Sequence, residues 1–152
     1  MDFLTGCDEQ RRLAVLAAVV GPLEGGHKHR LAHMLLDFLR RASPTRRRPT
    51  VESLAAIGPD AANAIVCGLC DSKKRKLVAD LMRAAELLAP RLGEPDRSTL
   101  FTALYIGVRK STDPEVLLAH ARAVAAIYAA CRAGRAAGGV TAECPSAASA
   151  AG

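Results

Sequence analysis

From Leu77 to Leu92 an apolar side chain returns to the same helical face at every turn. Leu77, Leu81, Ala84 and Leu88 form the line, and Val78, Ala85 and Leu92 widen it. That spacing belongs to a helix with one face in a core. Asp71 and Ser72 precede it as candidate N-caps, because their side-chain oxygens can accept from unpaired first-turn N–H groups. Lys73, Lys74, Arg75 and Lys76 then stand at the positive end of the helix dipole, where basic residues are mildly destabilising. Helix stability does not account for them.

The rest of the chain breaks into similar pieces. Asp8 and Glu9 open a first helix through LAVLAAVV, stopped by Gly21-Pro22. After Gly25-Gly26, HKHRLAHMLLDFLRRA predicts a helix that buries Leu31, Leu35, Phe38, Leu39 and Ala42, with Met34 beside them. Residues 43–49, SPTRRRP, are expected to form an exposed basic loop, since two prolines and clustered positive charge cannot continue a packed helix. Thr50 with Ser53 starts a short helix ending at Gly58, and Pro59 restarts it as DAANAIVCGLC, giving two short helices or one bent one. Beyond the break at Gly93, Pro95 and Asp96, FTALYIGV has enough β-formers for a strand. No second strand is available to pair with it, so a helix is preferred, with Leu100, Phe101, Leu104, Tyr105 and Val108 inward.

Thr112-Asp113-Pro114-Glu115 combines a cap, proline at N1 and an early acid. The helix it opens carries Leu117, Ala121, Val124, Tyr128 and Cys131 on one face, with Gly134 as its C-terminal cap. The fold expected is all-α, a compact bundle of about six helices over residues 1–134, followed by a disordered low-complexity tail over 135–152.

A length of 152 residues favours one domain. The 21 Lys+Arg against 15 Asp+Glu leave a formal charge of +6, which suits nucleic acid, a membrane surface or an acidic protein surface. Aromatics are 3% with no Trp, so base stacking has little to work with, and any nucleic-acid binding would rest on phosphate contacts that salt weakens steeply. The start, MDFLTGCDEQRR, lacks the order of a secretory signal, and the apolar run from Leu13 to Leu23 falls short of the ~20 residues that span a bilayer. A soluble intracellular protein with no membrane partner is expected. Five cysteines, an odd count, argue against a disulfide framework.

His29 and His33 lie one turn apart on a helix, a spacing at which both rings can reach one tetrahedral ion. Cys67-x2-Cys70 supplies two thiolates at the commonest zinc spacing, with Gly68 between them. Together the four make a candidate His2Cys2 site for structural zinc, and His27 can substitute for His29. This order, with NAIVCGLCDSKK around the cysteines, resembles the small helical zinc domain at the amino terminus of retroviral integrases. The resemblance covers Gly26 to Lys76 and implies ligand roles for those four residues; no integrase catalytic domain follows, so integrase activity is not implied. A plainer role fits the same residues. Cys67 and Cys70 lie in an apolar run with Ile65, Val66 and Leu69 and can pack as small hydrophobes, and the histidines beside Arg30 and Asp37 can form a solvated face.

Lys73-Lys74-Arg75-Lys76 looks like a short nuclear-localisation signal, whose import receptor takes an extended peptide; a solvated helix start is the alternative. Arg40, Arg41, Arg46, Arg47 and Arg48 form a second basic group. If residues 43–49 fold back beside the start of the central helix, the two groups make one phosphate-binding surface; if not, they are separate patches that aid solubility. No Gly-rich phosphate loop, nucleophile elbow or paired carboxylates are visible, and Asp37, Asp80 and Glu86 are expected on the solvent face, so no enzyme is predicted.

The leading expectation is therefore a small nuclear or nucleo-cytoplasmic regulatory protein that binds nucleic acid through phosphate contacts, with a candidate structural zinc. The competing one is a helical protein-protein interaction module, an adaptor or inhibitor of host signalling or cell death that uses a groove between helices. Richness in Ala, Arg, Gly and Pro is what GC-rich coding produces, as in several large DNA viruses. The Ala-rich last helix can pack within the chain or against a second copy, which leaves the oligomeric state open.

Overall fold

The computed structural model describes residues 11–138 apart from 13 and 110. It is an all-α bundle, without strands among the described residues. Helical residues 11–12 and 14–20 (α1) are followed by Gly25–Arg41 (α2), Pro44–Ala56 (α3), Ala62–Asp71 (α4), Arg75–Leu88 (α5), Asp96–Val108 (α6) and Pro114–Gly138 (α7). Short 3-10 turns, Pro59–Ala61 and Ala89–Arg91, lead into α4 and out of α5.

The central helix behaves as its spacing predicts. All seven stripe residues, Leu77, Val78, Leu81, Ala84, Ala85, Leu88 and Leu92, are buried, together with Ala79 and Met82. The apolar surface is broad because α5 has neighbours on several sides: it packs against α7, α3 and α4. Each fully buried leucine adds about 1.5–3 kcal/mol over an exposed one, so this helix is the largest single contributor of apolar burial.

Residues 43–49 are not a loop. Pro44 stands at the start of α3, where its missing N–H costs nothing, and Ser43 O accepts from both Arg46 N–H (2.9 Å) and Arg47 N–H (3.2 Å). Pro49 lies inside the helix, but the only backbone bond it removes would have ended on Thr45, an exposed residue of the first turn. Side-chain bonds from Thr50 Oγ1 to Arg46 O (2.7 Å) and Ser53 Oγ to Pro49 O (2.8 Å) reinforce the same stretch. α3 ends at Ala56, and Gly58, with a φ of +88°, turns the chain through a bend of 117° between Pro44–Ala56 and Pro59–Asp71, so the alternative with two helices holds.

Two helices keep only part of the face predicted: Leu39 in α2 and Cys131 in α7 are buried as expected, and Leu31 and Leu35 are partly covered. In α2 the buried line is Ala32, Leu36 and Leu39, while Phe38 and Met34 are 44% and 62% exposed. In α7 it is Val116, Ala123, Ile127 and Cys131; Leu117 and Ala121 face out, and Val124 and Tyr128 are only partly covered. Both helices carry apolar residues around more than half their circumference, so contact with neighbours selects the face and periodicity does not. In α6, Leu100, Phe101 and Leu104 are buried as expected, but Tyr105 is exposed and Ala103 takes an inward place.

α7 does not stop at Gly134; it runs to Gly138, and residues 139–152, the greater part of the expected tail, lie outside the described residues. By length and composition Pro114–Ala136 could cross a membrane, which the sequence reading did not anticipate, with mean hydropathy 1.3 over an 18-residue window. Only 22% of that window is buried within the chain, and its buried line packs against α5 and α6.

Candidate functional site

The link from α4 to α5 is only Ser72, Lys73 and Lys74. Asp71 ends α4, and Lys74 occupies the N-cap position of α5 without a side-chain bond. Ser72 serves the link instead: its Oγ accepts from the Lys74 backbone N–H at 3.2 Å. Lys73 and Lys74 are thus non-helical while Arg75 and Lys76 form the first turn of α5, and all four are exposed.

The second basic group divides by partner. Arg47 Nε donates to Asp80 Oδ2 at 2.6 Å, Arg48 Nε to Glu52 Oε1 at 3.1 Å, and Arg40 Nη1 to Asp37 Oδ1 at 3.0 Å. Arg75 lies 3.5 Å from Asp113. Among the described residues no ion-pair partner is seen for Arg41, Arg46, Lys73, Lys74 or Lys76. Asp80 is consequently not a free solvent-face acid. Burial, with a smaller push from the Glu115 charge, raises its carboxyl above the usual range, and this outweighs the lowering by the Arg47 hydrogen bond and charge and by the charge of Lys76, which lies beyond ion-pair distance. The pair also answers the question of proximity: it joins the start of α3 to α5 one helical turn beyond Lys76, so part of the second group does lie beside the central helix.

Beside the link is a cavity of about 460 Å³. Its charged and polar lining is Ser72, Lys73, Arg75, Arg109, Ser111 and Thr112, with the Cys70 thiol beside them, over an apolar floor that includes Leu69, Val78 and Val116. Arg109, Ser111 and Thr112 were not singled out as site residues from the sequence. Their signal is the run RKST ahead of α7, where cations and hydroxyls gather at a helix start. Asp113 makes the cap expected of it, its Oδ1 accepting from Glu115 N–H at 2.9 Å, while Ser111 Oγ accepts from Asp113 N–H at 3.3 Å.

The four candidate zinc ligands remain as two pairs. His29 and His33 have ring centroids 4.6 Å apart on α2, and Cys67 and Cys70 lie on α4. Among the described residues no three His, Cys, Asp or Glu are grouped so as to hold a metal ion. Cys67 Sγ is 3.6 Å from Asn63 Oδ1, a contact within its own helix. Cys70 is open to solvent on one side, yet partial burial, with Asp71 and Cys67 nearby, raises its thiol above the ordinary value. Gly68 has a packing role: a Cβ there would lie 2.6 Å from Leu81 Cδ1 and 3.1 Å from Leu36 Cδ1, so its lack of a side chain lets α4 close on α5 and α2. Cys7 and Cys144 are outside the described residues.

Comparison with protein-family models, curated proteins and solved structures found no match for this chain.

Proposed function

We propose that this chain is a non-catalytic regulatory protein that binds nucleic acid by its phosphates, on the surface formed by the α4–α5 link, the first turn of α5 and the start of α3. One observation carries the reading: Arg46, Lys74 and Lys76, with Lys73, are exposed and lack ion-pair partners among the described residues, while the Arg47–Asp80 contact holds α3 beside α5. Exposed cations in such a group displace the counterions condensed on nucleic-acid phosphates, and the release of those counterions drives binding. Structural zinc is not part of the proposal, since its candidate ligands stand as separate pairs. A nuclear role through an import receptor would require the first turn of α5 to open, because Arg75 and Lys76 are helical.

The test is fluorescence anisotropy with a labelled duplex of arbitrary sequence, repeated across salt concentrations. Affinity should fall steeply with salt, and R46Q/K74Q/K76Q should flatten the log–log slope by about 0.9 for each phosphate contact removed. Absence of binding at low salt, or an unchanged slope in the triple variant, rejects the reading.

A second reading, a helical interaction module, is favoured by Met34 and Phe38, two large apolar side chains one turn apart on α2 that are both exposed. Phe38→Glu would abolish capture of a partner or self-association through this face and leave salt-dependent nucleic-acid binding intact.

A further inference from the structure

We infer that the cavity between α4, α5, α6 and the start of α7 binds a small soluble molecule with an anionic head and a short apolar body. The cavity shares Ser72, Lys73 and Arg75 with the proposed nucleic-acid surface, but the inference rests on its volume and on Arg109, Ser111 and Ile106, which that surface does not use. At about 460 Å³ the cavity has the size of small-molecule sites, which run from roughly 300 to 1,000 Å³.

The head is specified by charge and by spare protons. Lys73 and Arg109 reach the cavity without ion-pair partners among the described residues. Arg75 shares Asp113, but that carboxylate also accepts the Glu115 N–H and is already engaged on both oxygens. Ser72 Oγ and Ser111 Oγ each accept a backbone N–H, which leaves each hydroxyl proton to be donated elsewhere. Two cations and two hydroxyls whose protons remain to be donated, in a lining without a carboxylate, select an anion.

The body is specified by the floor. Leu69, Val78 and Val116 are buried, and Ile106, which lines the same cavity, is 45% exposed. An apolar segment a few carbons long would cover Ile106 while its head meets the cations. A bare inorganic ion would leave that surface wet.

The test is an NMR titration of the full chain, following backbone amide shifts, with hexyl phosphate, inorganic phosphate, hexanol and hexanoate as separate probes. Hexyl phosphate should bind more tightly than inorganic phosphate or hexanol and shift Ser72, Ile106 and Ser111. Arg109→Gln should weaken it about tenfold, the effect of losing one charge-assisted hydrogen bond. Ile106→Ser should weaken hexyl phosphate but not inorganic phosphate. Both residues are exposed, so neither variant disturbs the core. Hexanoate binding as well as hexyl phosphate defines a general anionic head; weaker hexanoate binding defines a phosphate head. Hexyl phosphate binding no tighter than either half, or indifference to Arg109→Gln, overturns the inference. The R46Q/K74Q/K76Q variant should retain hexyl phosphate binding, which separates this result from that of the nucleic-acid experiment.

Discussion

Arg47 on α3 and Asp80 on α5 meet at 2.6 Å, with their side chains only 19% and 26% exposed. The contact joins residues 33 apart in the sequence and withdraws one arginine from the basic surface. Removing the cation leaves a half-buried carboxylate without its main partner, so Arg47→Met should cost about 1–3 kcal/mol at neutral pH. Asp80→Asn should cost less, since it also removes the burial penalty on the charge. Because the folded-state pKa of Asp80 is raised, its contribution to stability is present below the ordinary carboxylate value and is lost as pH rises through the raised one. Urea melts from acid to neutral pH should show that decline in the parent and not in Asp80→Asn. Equal losses for the two variants at neutral pH would contradict this account.

Gly68 should tolerate no side chain. The 2.6 Å approach to Leu81 Cδ1 forces that fully buried side chain to shift against its packed neighbours, so Gly68→Ala should destabilise by about 1–3 kcal/mol through overpacking. Denaturant midpoints measure this directly. Leu81→Ala in the same chain should make the added methyl less costly, which a propensity effect at position 68 would not do.

Arg91 closes the C-terminal end of α3 from a distance. Its Nη1 donates to Ala56 O at 2.9 Å and to Ala55 O at 3.0 Å, the latter also accepting from Gly58 N–H at 3.2 Å, and the guanidinium lies against Gly58. Arg91→Gln should lower stability by about 1 kcal/mol. Hydrogen exchange should then accelerate at Ile57 and Gly58, ahead of the amides of α5. Uniform acceleration across the bundle would instead mark a global effect.

The sequence discloses α5 because its leucines sit on one face between charged flanks, and the breaks at Gly58-Pro59 and Asp113-Pro114 because glycine and proline act locally. The start of α3 was obscured by a rule applied too broadly: proline opposes a helix interior, yet Pro44 begins one and Pro49 removes a single early bond. The inward faces of α2 and α7 were partly misplaced because apolar residues on either side of the stripe left several rotations equally good. Charge pairing was the least visible part of the candidate site. Nothing near Arg47 in the sequence announces Asp80, and the cavity takes Lys73 from one helix junction and Arg109 from another.

Glu52 is buried, and Arg12 reaches it from the amino-terminal side while Arg48 reaches it from within α3. The first helix is therefore moored to the bundle in part by an ionic clasp whose arginines remain open to solvent. Dissolved ions compete for such a clasp but hardly touch the leucine-filled interior around α5. The periphery near Arg12 should consequently loosen with ionic strength well before the centre responds.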